Sequence, residues 1–272
     1  MKYAGTLLVT DADGTLFTDD KRILDVDKSA IDEFISEGGL FTIATGRGIG
    51  LARDVVDKIG TERLNAPAVI FNGAVVYDFA NNKKLSETLL CSKGVEYIKT
   101  LCKHFPDVGT EILIGDDIYV TNTNAYEEAH LEFGDVNPIR CDFAKLPEIG
   151  WFKAVFVDTP EKIQKMLDFA KMNPCDEIHY VSSAPMFFEV LPKGVNKGSG
   201  LSKMIQIMGL ENKRIIAVGD YMNDIEMLQI ADLAVAVDNA EEVVKKVADI
   251  VVCDNNSGSI RAIVDYLKQE QI

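Results

Sequence analysis

Short apolar runs alternate one for one with helix-spaced segments at both ends of this chain but not in its middle, and few folds accept that pattern. Thr6-Leu7-Leu8-Val9 has the length and texture of a buried parallel strand. Ser29 to Glu37 carries apolar residues at helical spacing (Ile31, Phe34, Ile35) and stops at Gly38-Gly39. Leu40 to Ala44 reads as a second strand, Gly48 to Ile59 as a second helix and Ala68 to Phe71 as a third strand. A βαβαβ start implies a parallel sheet with right-handed crossovers. The alternation returns at Gly198. Helix Leu201–Met208 is followed by strand Ile215–Val218, helix Asn223–Ile230, strand Leu233–Val237, helix Ala240–Val247, strand Ile250–Val252 and helix Ile260–Lys268.

Between these stretches the texture differs. Val75-Val76-Tyr77 and the polar Asn81-Asn82-Lys83-Lys84 read as a strand leading into a linker. Ile112–Ile114 and Ile118–Thr121 flank Gly115-Asp116-Asp117, a hairpin signal. Strands Phe152–Val157, Ile178–Val181 and Phe187–Leu191 surround a helix from Glu161 to Lys171. The expected architecture is an α/β, Rossmann-like parallel-sheet core, residues 1–82 and 186–272, interrupted by an α+β module at 83–185.

Twenty-eight basic against 43 acidic residues give a formal charge of −15, which repels phosphate backbones and argues against a nucleic-acid partner. A small anionic substrate would then need a local positive site, either a metal ion or a well-placed Lys. The five cysteines (Cys91, Cys102, Cys141, Cys175, Cys253) form no metal-ligand spacing and no disulfide framework. The N-terminal apolar run is too short for a signal-peptide core, and no stretch approaches a membrane span. The expectation is a cytoplasmic protein with no membrane partner; oligomeric state is not legible.

Four motifs can carry chemistry. Asp11-Ala12-Asp13-Gly14-Thr15 directly follows the first strand, and ligands of open α/β sheets bind outside the carboxyl ends of strands. One carboxylate can attack while the other handles a proton; the competing reading is a strand ending in an Asp-Gly turn. Thr45-Gly46-Arg47 closes the second strand and offers a hydroxyl and free N–H groups to an anion, or is only an N-cap followed by an exposed Arg. Lys197, in Asn196-Lys197-Gly198, is by itself an ordinary lysine. Gly219-Asp220-Tyr221-Met222-Asn223-Asp224 follows the apolar run Ile215–Val218 and could complete a hard-cation site or merely cap a helix.

Together and in this order the four motifs resemble the haloacid dehalogenase superfamily. The long gap between Thr45 and Lys197 and the phrase Phe71-Asn72-Gly73-Ala74 are similar to its Cof-type branch, in which an α+β cap is inserted there. The resemblance implies a phosphatase acting on a small phosphorylated metabolite (sugar phosphate, nucleotide or cofactor phosphate) through an aspartyl-phosphate intermediate. It implies Asp11 as nucleophile and Asp13 as general acid/base. Thr45, Gly46, Lys197 and Asn223 would hold the phosphoryl group. Mg²⁺ would be bound by Asp11, the backbone carbonyl of Asp13 and Asp220, with Asp224 in support. A phosphomutase shares these motifs, and a non-catalytic phosphosugar-binding regulator is the reading from another class.

Overall fold

In the computed structural model, residues 1–133 and 137–270 are described. The chain divides into two compact units, residues 1–87 with 196–272 and residues 88–195.

The first unit is built on a five-stranded parallel sheet. β1 (Thr6–Thr10), α1 (Asp25–Ser36), β2 (Leu40–Ile43), α2 (Ile49–Ile59) and β3 (Ala68–Ile70) form its first part, followed by β4 (Val75–Asp78) and β5 (Lys83–Glu87). The first unit's second part, α6 (Lys197–Met208), β12 (Arg214–Gly219), α7 (Ile225–Gln229), β13 (Leu233–Val237), α8 (Glu242–Lys245), β14 (Ile250–Val252) and α9 (Ser259–Gln269), follows the nine strands and helices numbered between. Strand order is β14-β13-β12-β1-β2, with Leu7 opposite Ile215 on one side and Leu40 on the other. Continuous apolar strands such as Leu233-Ala234-Val235-Ala236-Val237 are buried at every position, as a parallel sheet covered on both faces requires. α1 buries Asp27, Ala30, Ile31 and Phe34, one stripe at helical spacing. Truncating a core side chain such as Leu8→Ala, fully buried, should cost about 2–5 kcal/mol.

Because the chain leaves β1 for β2 on one side and builds β12, β13 and β14 on the other, β1 and β12 flank the topological switch point, where such sheets bind ligands. β3 joins this sheet only through a parallel bridge between Ala44 and Val69 and otherwise pairs antiparallel with β4.

The second unit is α+β: α3 (Ser92–His104), β6 (Gly109–Ile114), β7 (Asp117–Asn122), α4 (Ala125–Phe133), β8 (Ile139–Arg140), β9 (Trp151–Val157), α5 (Pro160–Met172), β10 (Ile178–Val181) and β11 (Phe187–Pro192). Its sheet runs β10-β11-β9-β6-β7-β8, antiparallel except for β7 and β8. Val95, Ile98 and Leu101 of α3 and Ile163, Met166 and Ala170 of α5 pack with Ile112, Ala154, Phe156, Phe188 and Val190 of the sheet into one apolar cluster.

Several expectations change. Asn81-Asn82-Lys83-Lys84 is no linker: Asn81 and Asn82 turn the chain, Asn82 at φ +51°, and β5 pairs back onto β4 within the first unit. β11, assigned from sequence to the second part of the core, pairs with β9 and β10 in the second unit, so the compact boundary falls at 195/196. α6 begins four residues earlier than its apolar spacing indicates, at Lys197, under a capping box in which Asn196 and Ser199 bond reciprocally. The Asn223–Ile230 helix is a short 3₁₀ turn, Met222–Asp224, running into α7, and the expected Ala240–Val247 helix shrinks to α8. No helix among the described residues is long and apolar enough to cross a membrane.

Candidate active site

Four segments of the first unit bring the expected residues together at the carboxyl ends of β1, β2 and β12. Asp11 leaves β1 still tied to the sheet, its N–H donating to the Val218 carbonyl at 3.0 Å. The chain then makes a single wide turn, closed by Phe17 N–H to Ala12 O at 2.8 Å, in which Asp13 is extended and Gly14 has φ +79°. Gly14 is demanded twice. Its φ disfavours any other residue, and a Cβ there would stand 2.5 Å from an Asp220 carboxylate oxygen. Thr15 Oγ1 donates to Asp220 Oδ1 at 2.7 Å, fixing one acidic loop on the other.

Lys197 is the centre of charge. It is 1% exposed, and its Nζ donates to Asp11 Oδ1 at 2.5 Å and to Asp224 Oδ1 at 2.6 Å. Gly198 lets it sit there, since a Cβ at that position would meet the Glu226 carbonyl at 2.4 Å. Burial alone would lower the Lys197 pKa, but the charges and hydrogen bonds of Asp11 and Asp224 raise it above the usual lysine range, so the ammonium persists. Asp224 spends its other oxygen on the N–H groups of Asp220 and Tyr221 at 3.0 and 3.1 Å. Burial pushes Asp11 well above the usual carboxylate range; Lys197 opposes the shift, while Asp224, Asp220 and Asp13 add to it. Asp220 is pushed up to about 7, by burial first and by Asp224 second.

Asp11, Asp220 and Asp224 each present a carboxylate oxygen, all within 4.8 Å of one another, the one such ligand group among the described residues. Three carboxylates, Asp11 and Asp224 buried and Asp220 partly so, face a single ammonium. All-oxygen donors without His or Cys suit a hard divalent cation, so the residues present fit Mg²⁺. The Asp13 carboxylate lies outside this group. It accepts from Arg47 Nε and Nη2, both at 2.8 Å, and from Lys21 Nζ at 2.8 Å. Burial would raise its pKa, but the Arg47 fork and then Lys21 hold it well below the usual carboxylate range.

Thr45 is buried, its Oγ1 accepting from Arg47 N–H at 3.2 Å. Gly46 lies against the Asn72 amide, whose oxygen also accepts from Asn223 Nδ2 at 3.1 Å. Arg47 is therefore not the exposed residue of the bland reading. Nothing in Thr18-Asp19-Asp20-Lys21-Arg22 distinguishes Lys21 from a solvated loop lysine in the sequence.

A profile described as haloacid dehalogenase-like hydrolase matches residues 8–264. The chain belongs to that family. It is 28% identical over 262 residues to the 5-amino-6-(5-phospho-D-ribitylamino)uracil phosphatase YcsE of Bacillus subtilis, covering 94% of each chain. It is 28% identical over 237 residues to the HMP-PP phosphatase of Serratia proteamaculans, covering 86% of this chain and 84% of that one. Among solved structures, a protein from Thermotoga maritima superposes with a TM-score of 0.80 at 27% identity, covering 96% of each chain. The fold class expected from sequence, a haloacid dehalogenase-like parallel-sheet core with an inserted α+β unit, is thus the fold found.

Proposed function

We propose that this chain is a phosphatase that hydrolyses a small phosphate monoester, with Asp11 as the nucleophile. The observation that carries the reading is the buried Lys197 ammonium gripping Asp11 and Asp224 at once, at the switch point of the sheet. It keeps one Asp11 oxygen fixed and places a positive charge where phosphoryl oxygens need it.

The Asp11 carboxylate attacks phosphorus as the ester P–O bond breaks and an aspartyl P–O bond forms. Thr45 Oγ1 and the Gly46 N–H hold the equatorial oxygens with Lys197 and Asn223. Asp13 gives its proton to the departing oxygen, then takes one from the water that cleaves the aspartyl phosphate, freeing Asp11 and inorganic phosphate. In the arrangement found, Asp13 is charged and bound by Arg47, which suits the second, proton-accepting half of the cycle. To act as an acid it must turn from Arg47 and gain a proton. Mg²⁺ held by Asp11, Asp220 and the Asp13 carbonyl, with Asp224 behind them, would add charge neutralisation at the phosphoryl group. Relatives named for a phosphorylated ribitylaminouracil and for HMP-PP support a small phosphorylated metabolite as the substrate. The inserted unit is the part we assign to choosing among them.

The test is a panel of sugar, nucleotide and cofactor phosphates assayed for released phosphate with Mg²⁺ and after exhaustive chelation. Release that needs Mg²⁺ and returns on its re-addition is expected. No release from any ester would overturn the reading, and full activity after chelation would overturn its metal.

A further inference from the structure

The turn after β3 is strained where a simple connection would not be. Phe71, Asn72 and Gly73 have φ of +52°, +52° and +101° in succession. Gly accepts this readily and Asn tolerates it, but a bulky aromatic in the left-handed region is an outlier. Such strain persists only where the surroundings impose it, and it gathers at functional sites. Here it makes five contacts possible. The Phe71 N–H donates to the Arg47 carbonyl at 2.9 Å and the Asn72 N–H to the Thr45 carbonyl at 3.0 Å. The Asn72 side chain, 1% exposed, accepts from Asn223 and lies beside Gly46, where a Cβ would come within 3.0 Å of its amide oxygen. Gly73 meets the residue before Lys197 so closely that a Cβ would stand 2.0 Å from the Asn196 carbonyl. One turn therefore touches the Thr45–Arg47 loop, the Asn223 loop and the start of α6.

We propose that Asn72 is a positioning residue: its amide sets the separation of Gly46 and Asn223 so that both loops address one phosphoryl group. The inference rests on the reading of Thr45, Gly46 and Asn223 given above. If φ alone mattered, Gly would serve as well, and it would serve without strain. Only a need for the amide keeps Asn there. Positional errors of about an ångström at a reacting centre cost up to about 10²-fold, which sets the size of the expected effect.

Asn72→Gly separates the two roles. It should still melt cooperatively, yet lose about 10–100-fold in kcat/KM, with inhibition by orthovanadate, a phosphate analogue, weakened about tenfold. Combined with Asn223→Ala, the losses should not multiply, because both changes cut the same contact. Wild-type turnover and vanadate affinity in Asn72→Gly would overturn the proposal, as would strictly multiplicative losses or a variant that no longer melts cooperatively. Asp11→Asn serves as the control beneath it. An active Asp11→Asn sinks the phosphatase reading itself, whereas an inactive one beside a fully active Asn72→Gly sinks only the role of Asn72.

Discussion

Each of the two units buries a knot of carboxylates, and the two knots are compensated in different ways. In the first unit, Asp11, Asp220 and Asp224 surround a buried ammonium, and their oxygens converge closely enough to hold a cation. In the second, Glu111 and Glu127 are 4% and 0% exposed, and His130 Nε2 lies 3.4 Å from a Glu111 oxygen. No donor reaches either Glu127 oxygen. Burial, then the charge of Glu111, pushes Glu127 up to about 9, so it keeps its proton and can share it with its neighbour. The Glu pair has no ammonium and keeps a proton, whereas the Asp trio is gathered around the buried Lys197 ammonium with three oxygens close enough to share a cation. Oxygens that converge around a fixed charge mark a place for chemistry, and a carboxyl pair without such a charge marks a place in the architecture.

Substitutions can break that contrast. The largest effect should come from Asp11→Asn, which removes the oxygen we propose to attack: turnover should fall by about 10⁴-fold or more, with no phosphoenzyme trapped, while cooperative melting survives. Residual turnover within tenfold of wild type would end the comparison. Next is Asp13→Asn, expected to slow hydrolysis by about 10²–10⁴-fold. A leaving group of low pKa such as nitrophenol should recover part of the loss, because it departs without a proton. Equal losses on good and poor leaving groups would argue against the acid role.

The smallest effect belongs to the other knot. The unfolded chain releases the Glu127 proton near the ordinary value of 4.5, and the folded protein keeps it to about 9. Between those limits the folded state binds more protons, so stability falls as pH rises and levels off above the upper one. Glu127→Gln should therefore leave Tm nearly unchanged at pH 4 and raise it by several degrees at pH 8, about 2–4 °C for each kcal/mol gained. Turnover should not change. A lower Tm at pH 8, or lost activity, would erase the distinction between the knots.

How legible all this was in the sequence depends on the range of the interactions. Strands such as Leu233–Val237 announce themselves through unbroken apolarity, and Asp11 and Asp220 through their places at strand ends; Lys197 is legible only through its order among the four motifs. The β4–β5 hairpin was obscured because Lys83-Lys84 shows no alternation; its partner strand holds it in place. The first turn of α6 was obscured because Lys197-Gly198-Ser199-Gly200 is poor helix sequence. Its two glycines are there for close approach, Gly200 against Gly73 and Gly198 against Glu226, so packing overrides propensity. Nothing local in Arg47, Lys21 or Asn72 tells which distant group each will grip; Arg47 and Asp13 are 34 positions apart.

The enclosure of Lys197 also governs what amine-directed reagents can report. Acylating or reductively alkylating probes react with neutral, reachable amines, and this one is 1% exposed, doubly ion-paired and held protonated. It should be the last lysine to take a label in the folded protein and one of the ordinary ones once the chain is denatured. Inactivation by such a reagent would point to an exposed lysine elsewhere, and the delayed labelling of Lys197 would time the opening of the pocket of carboxylates around it.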